Sequence, residues 1–397
     1  MTDLAFPVER DNPDAAMIVR RRRFLQGIAA VGGAAMVPVW AKGIAEAAVP
    51  LGSNDGVIVH IMMEGGNDPL NTLVPVTNSA YYAKRGGLGL NAAATLPVTP
   101  ERSLHPALTR TKALYDRGQV AFIEGVGIEN GSLSHFDSAA RVESAQPGAA
   151  YGKTGWLGRY VDQLPVADLF SSVSIGSTVP LVATGAVRSA TAIPLNMPGA
   201  VRQRDVEANY RREFTTMRSL ASGSFGRGDL ADQVGQTVGR SLDVAGLVES
   251  LYSEDGDSDS LAAQLTMVAR LINADLGIRV FTVTFGDFDT HASQLTRHHE
   301  ALAEFDAGIG AFYSVLSSRF AGRTLLFAMS EFGRRVPANG SGGTDHGTAG
   351  LAIAIGQRVR GGIYGALPSL TDLDWARQHE TDNGLSPCLR HDPSRRG

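Results

Sequence analysis

The chain has 397 residues, 43% of them hydrophobic, with 36 Lys and Arg set against 40 Asp and Glu for a formal net charge of −4. A balance this close to neutral excludes a broad basic surface for nucleic acid, and a single cysteine, Cys388, excludes an intrachain disulfide. The apolar stretch near the N-terminus is about 13 residues, short of the ~20 a spanning helix needs, so no stable transmembrane segment is expected.

In chain order, the first feature is a targeting signal. Residues Arg20 to Gln26 read R-R-R-R-F-L-Q, a weakly hydrophobic stretch follows from Gly27 to Val39, and Ala45 and Ala47 bracket a small-residue exit. A basic region, a short apolar region and an A-x-A-like site form a removable export segment. Arg21, Arg22, Phe24 and Leu25 fit the twin-arginine consensus R-R-x-F-L, and Lys42 near the exit suits the same route. Residues 1–47 are therefore read as a signal peptide. The expected partner is the twin-arginine translocase, and the expected location is the periplasm or the exterior. The lack of disulfides agrees with a chain that folds in a reducing compartment before export.

The remaining residues, about 350, suffice for one large domain. Gly56–Met63 (G-V-I-V-H-I-M-M) is a near-continuous, β-branched apolar run, the pattern of a strand buried on both faces. Gln119–Gly127, Leu169–Ile175, Val280–Phe285 and Thr324–Ser330 have the same character. Gln294–Leu316 predicts a helix with Leu295, Leu302, Phe305, Ile309, Phe312 and Leu316 on its apolar face. Strands alternating with helices predict an α/β fold around a mostly parallel sheet. The polar stretches Ser222–Gly228 and Ser253–Ser260 read as surface loops around a helical insertion.

In such folds ligands bind beyond the carboxyl ends of the strands, and those ends carry the conspicuous polar residues. The first strand runs into Glu64, Gly65, Gly66, Asn67, Asp68 and Asn71. The second precedes Ser134, His135 and Asp137, the next Asp287, Asp289 and His291, and the last Glu331, Arg334, Asp345 and His346. Asp and His converging from several strand ends are what a Zn or Mn site requires. The pairs Gly65-Gly66 and Gly342-Gly343 would let backbone approach a ligand closely. Blander readings accompany these: Glu331 and Arg334 pairing with each other, His60 a satisfied core histidine, His298 and His299 on the exposed start of a helix, and His379 and His391 in an unpatterned tail.

The combination of R-R-x-F-L with E-G-G-N-D-P-L-N-T, S-H-F-D, T-G-W-L-G-R-Y (Thr154–Tyr160), F-D-T-H-x-x-Q (Phe288–Gln294), S-E-F-G-R and G-G-T-D-H-G resembles the exported family catalogued as domain of unknown function 1501. The resemblance runs over nearly the whole mature chain to about Leu370, and the family is placed with the alkaline phosphatase and sulfatase superfamily. It implies an alkaline-phosphatase-like three-layer α/β sandwich, residues 48–370 forming one domain, and a hydrolase site with one or two Zn or Mn ions. By the same resemblance Asp68 is similar to the first carboxylate ligand, and Ser134 stands at the nucleophile position. Asp289 with His291 resembles the ligand pair of one metal, Asp345 with His346 that of the other. Asp287 is the alternative to Asp289, because it restores an Asp-x-x-x-His spacing. Asn67, His135, Asp137, Glu331 and Arg334 are further candidates. The chain departs from the pattern at Asp287, where Gly is usual, and after Leu370. There residues 371–397 lack the acidic, aromatic C-terminal helix, which points to a frameshift or truncation and an incomplete site.

The function so implied is hydrolysis of a phosphate or sulfate ester, the substrate being a small molecule or a polymer. Two other readings stand beside it: an inactive exported binding or scaffold protein with the same fold, and a metal-free serine hydrolase using Ser134. The second lacks the G-x-S-x-G setting.

Overall fold

The computed structural model describes residues 50–128, 131–146, 152–165, 171–195 and 259–373, with Thr216, Ser219 and Leu251 besides. The twin-arginine segment, the loops 222–228 and 253–258, Cys388, His379, His391 and the tail beyond Leu373 lie outside the described residues. Nearly all of the described chain belongs to one unit, residues 50–195 with 258–397.

The strands, in chain order, are β1 (Val57–Met63), β2 (Leu73–Val74), β3 (Leu96–Pro97), β4 (Ser103–Leu104), β5 (Val120–Val126), β6 (Ser172–Ile175), β7 (Thr191–Ile193), β8 (Val280–Phe285), β9 (Thr324–Met329), β10 (Gly333–Arg334), β11 (His346–Gly347), β12 (Gly350–Ile355) and β13 (Gly362–Gly365). The α-helices are α1 (Pro69–Thr72), α2 (Ser79–Arg85), α3 (Thr109–Asp116), α4 (His135–Ser144), α5 (Trp156–Asp162), α6 (Leu261–Asn273), α7 (Gln294–Val315) and α8 (Ser318–Ala321). Eight strands form one sheet in the order β13-β5-β12-β9-β1-β8-β6-β7.

β1 lies between β8 and β9, parallel to both. Its two faces are both covered, which is why its sequence shows no polar alternation. Ile58 and the in-register Val280 pack against Leu157 and Val161 of α5. On the opposite face of the neighbouring strand, the Phe285 ring stacks on Phe305 of α7 at 6.3 Å between centroids. α6 closes on α7 where Gly308 leaves room for Leu261 and Leu265. Helices on both faces of a mostly parallel sheet make this the expected three-layer α/β sandwich.

Within the eight-stranded sheet only β12 runs against its neighbours, antiparallel to both β5 and β9. It was not among the predicted strands, because its sequence G-L-A-I-A-I is short and small-residue-rich. Its reversal has a simple cause. The chain leaves the carboxyl end of β9, forms the β10–β11 ribbon (Gly333 opposite Gly347, Arg334 opposite His346) and turns straight back into the sheet. Both halves of the ribbon therefore stay at the carboxyl edge.

α7 matches the predicted helix with one face corrected. Leu295 is 45% exposed, whereas Gln294 and His298 are buried beside Leu302, Phe305, Ile309 and Phe312. His298 is thus not on an exposed helix start: its Nε2 meets Asn67 Oδ1 at 2.9 Å. The chain also stays packed beyond Leu370, with Leu370 and Leu373 both buried. No helix among the described residues is long and apolar enough to cross a membrane.

Candidate metal centre

The loops at the carboxyl edge are held together by glycine and one arginine. Gly65 (φ +107°) and Gly66 (φ +76°) have conformations that favour glycine. A Cβ on Gly65 would stand 2.4 Å from the Asp289 nitrogen, and one on Gly66 2.3 Å from the Phe332 ring. At Gly343 a Cβ would meet the Thr290 oxygen at 2.3 Å. The glycine pairs expected to admit a ligand instead let loop pack on loop.

Arg334 is buried and fastens these loops. It donates to Gly66 O at 2.8 Å, Thr344 O at 2.8 Å, Phe288 O at 3.0 Å and Asp289 Oδ1 at 2.6 Å, and also to Gly65 O. Glu331 turns the other way, accepting the Gly65 N–H at 2.9 Å and facing His135 Nδ1 at 2.7 Å. The two residues do not pair with each other; each has a separate task.

His135 opens α4, Asp289 follows β8, and His346 sits in β11. Each offers one ligand atom, and the three atoms lie within 4.8 Å of one another. His346 Nε2 is 3.1 Å from Asp289 Oδ1, and His135 Nε2 is 3.6 Å from Oδ2. Ligands at about 2.0–2.2 Å from one tetrahedral ion are about 3.3–3.6 Å apart. The spacing suits a single divalent cation.

The partners of the far ring nitrogens fix the tautomers. His346 Nδ1 lies 2.8 Å from the Leu133 carbonyl, which only accepts, so Nδ1 carries the proton and Nε2 presents its lone pair. Leu133 reaches this pose at φ +59°, an unusual value for leucine. His135 Nδ1 likewise donates to the Glu331 carboxylate. Both histidines thus turn Nε2 toward the Asp289 carboxylate, an arrangement that is repulsive until a cation lies between them. A histidine donating its outer N–H to a carboxylate or carbonyl is how protein metal sites orient their ligands. Phe332 packs on both rings, at 4.9 Å from His135 and 4.5 Å from His346 between centroids.

The charges follow from this setting. Burial would raise the Asp289 pKa, but the hydrogen bond and the charge of Arg334 hold it below the ordinary carboxylate value. Burial lowers that of His346, against the pull of the Asp289 carboxylate and the Leu133 carbonyl on its protonated form. Asp289 is therefore an anion, and His346 resists taking a proton in place of a metal.

The other predicted residues distribute as follows. His291 joins the cluster, with Nε2 at 2.9 Å from His346 Nε2 and 3.1 Å from Asp289 Oδ1. Asp345 faces His291 Nδ1 at 3.2 Å and accepts from Asn339 at the same distance, so it orients His291. One member of each ligand pair implied by resemblance, Asp289 and His346, thus joins His135 in a single group, the only such group among the described residues. Asp68 stands outside it. Its carboxylate caps α1 through the Leu70 N–H, pairs with the buried Arg85, and accepts from Gln294 at 2.5 Å. Burial favours its neutral form, yet Arg85 holds its pKa below the ordinary value. Asp287 pairs with Arg297, which removes it as the alternative to Asp289. Asn67 is buried against Thr72 and His298, and Asp137 binds Ser132 and Arg141. Ser134 occupies the N-cap position of α4, is exposed, and makes no capping bond with its side chain.

The partners that sequence reasoning missed are Arg85, the Leu133 carbonyl and Phe332. A carbonyl leaves no mark in a sequence, and Arg85 lies in a helix without any motif. Gln294 was visible as the last letter of F-D-T-H-x-x-Q, though no role was attached to it.

No curated protein matches the sequence. Among solved structures, the chain is similar to the C-terminal periplasmic domain of EcEptC from Escherichia coli in complex with Zn, at 9% identity over 78% of this chain and 75% of that one, TM-score 0.37. It is also similar to an alkaline phosphatase from the Antarctic bacterium TAB5 (13% identity, 78% and 94% covered, TM-score 0.33). A third is the PsFucS1 sulfatase from Pseudoalteromonas sp. (12% identity, 91% and 70% covered, TM-score 0.35). A family model matches residues 121–383, starting inside β5, spanning His135, Asp289 and His346, and running past Leu370. The chain therefore belongs to the family described as protein of unknown function DUF1501.

Proposed function

We propose that this protein is an exported metal-dependent hydrolase of phosphate or sulfate esters. The observation that carries the metal reading is the convergence of two histidine lone pairs on one carboxylate, each ring locked by an acceptor behind it. His135, Asp289 and His346 would hold a Zn or Mn ion, with His291 alongside; Glu331, Asp345 and the Leu133 carbonyl orient the rings. Such an ion supplies Lewis-acid polarisation of a phosphoryl or sulfuryl oxygen. Arg334 anchors Asp289 and four loop carbonyls. Ser134, exposed and adjacent to His135, is the proposed nucleophile. The ester class rests on the resemblance of the sequence motifs, and export on the twin-arginine pattern at Arg21 and Arg22.

Metal analysis of the purified protein tests this reading. About one equivalent of a divalent ion is expected, lost in Asp289→Ala, together with hydrolysis of p-nitrophenyl phosphate or sulfate that chelator abolishes and metal restores. A chain that takes up no ion under any loading refutes the centre. Hydrolysis that survives chelator turns the assignment to a serine hydrolase, and metal uptake without turnover to the inactive binding protein.

A further inference from the structure

Beside the centre lies a half-open cleft whose empty space, about 820 Å³, runs out into solvent. Leu70, Leu133, Val336, Leu351, Leu367 and Leu370 are among its walls. His346 and Arg334 also line it, so cleft and metal centre share a wall. The charged groups along the cleft are already engaged. Glu124 pairs with Arg102 at 3.1 Å, Arg334 is spent on Asp289 and four carbonyls, and Arg335 donates to the His346 carbonyl at 3.3 Å. An occupant finds walls that are mostly apolar.

Building on the hydrolase reading above, we infer that this cleft receives the hydrocarbon part of the substrate. The ester is then a small amphiphile: an anionic phosphate or sulfate head at His135, Asp289 and His346, and an alkyl chain laid against Leu133, Leu351 and Leu367. Burial of each methylene contributes about 0.8 kcal/mol, or about fourfold in affinity. A polymeric sugar ester, polar along its length, would gain little from the leucine-lined walls.

The test uses methyl-, butyl- and octylphosphonate titrated calorimetrically into the full, metal-loaded protein. Affinity is expected to rise by up to about fourfold per added methylene until the cleft is filled. Leu367→Asp should flatten that rise while leaving methylphosphonate binding unchanged. Equal affinities along the wild-type series would overturn the inference, whether the cleft is idle or filled by residues 374–397, and would leave the metal centre standing. If none of the phosphonates binds to protein shown to carry the ion, the anion site itself fails and the inference with it. Should Leu367→Asp not fold, the wild-type series alone decides.

Discussion

Glu331 offers the sharpest test of how the centre is built. The residue is 4% exposed, and Oε1 serves two donors, His135 Nδ1 at 2.7 Å and the Gly65 N–H at 2.9 Å. Oε2 has no hydrogen-bond partner, so truncation costs the protein nothing at that atom. Glu331→Ala removes what fixes the His135 tautomer, and loss of such an outer partner weakens metal binding about 10–100-fold. It also leaves the Gly65 N–H unpaired, worth ~1–3 kcal/mol of stability. Glu331→Gln keeps an acceptor for both donors and removes only the charge. It should retain most of the stability and fall between wild type and Ala in affinity. Zinc competition against a chromophoric chelator reads the affinity, and denaturant unfolding of the metal-free proteins reads the stability. A folded Glu331→Ala protein that holds zinc as tightly as wild type would show that His135 is not a ligand set by Glu331.

Three further outcomes are expected. His60 is fully buried in β1 with no partner for either ring nitrogen, and burial lowers its pKa from 6.5 to about 4. The unfolded chain takes the proton first, so the contribution is complete above pH 6.5 and is lost as pH falls toward 4, by about 3 kcal/mol at 1.36 kcal/mol per unit. His60→Leu should flatten the fall in unfolding free energy between pH 7 and pH 4; an unchanged slope counts against this origin. Ser134→Ala should alter the melting temperature little, because Ser134 makes no capping bond, while turnover falls by orders of magnitude. Near-native turnover removes Ser134 from the mechanism. Replacing Arg21 and Arg22 by Lys should leave full-length precursor in the cytoplasm, read by fractionation and immunoblot; normal processing would rule out the twin-arginine route.

Much of the architecture could be read from residues whose pattern has one cause. β1 and β8 are legible because burial on both faces demands uninterrupted apolar runs, and α7 because its stripe repeats along the helix. β12 escaped because G-L-A-I-A-I fits a turn, a strand or a short helix until its neighbours β5 and β9 are known. In the site, Asp289 and His291 lie just past the end of β8, and Asp345 and His346 are brought to them by the β10–β11 ribbon. Asp68 looked equally promising in E-G-G-N-D, but the carboxylate turns toward Arg85, seventeen residues on, and no local pattern encodes that pairing. His60 shows the converse. It is buried as expected, yet neither ring nitrogen has a hydrogen-bond partner; the ring packs on Trp156 and Phe327, at 6.0 and 6.3 Å between centroids.

The three prospective ligands come from α4, the loop after β8 and the β10–β11 ribbon, so no single stretch of chain can chelate an ion alone. An ion taken up there binds the folded form and not the unfolded one, and each tenfold rise in free ion above its dissociation constant adds about 1.4 kcal/mol to the unfolding free energy. Metal occupancy and folding are then one thermodynamic quantity seen from two sides. If the centre is filled, a chelator would lower the unfolding free energy by the increment the ion had added, and a mutation that loosens one strand end would register as a weaker affinity for the ion.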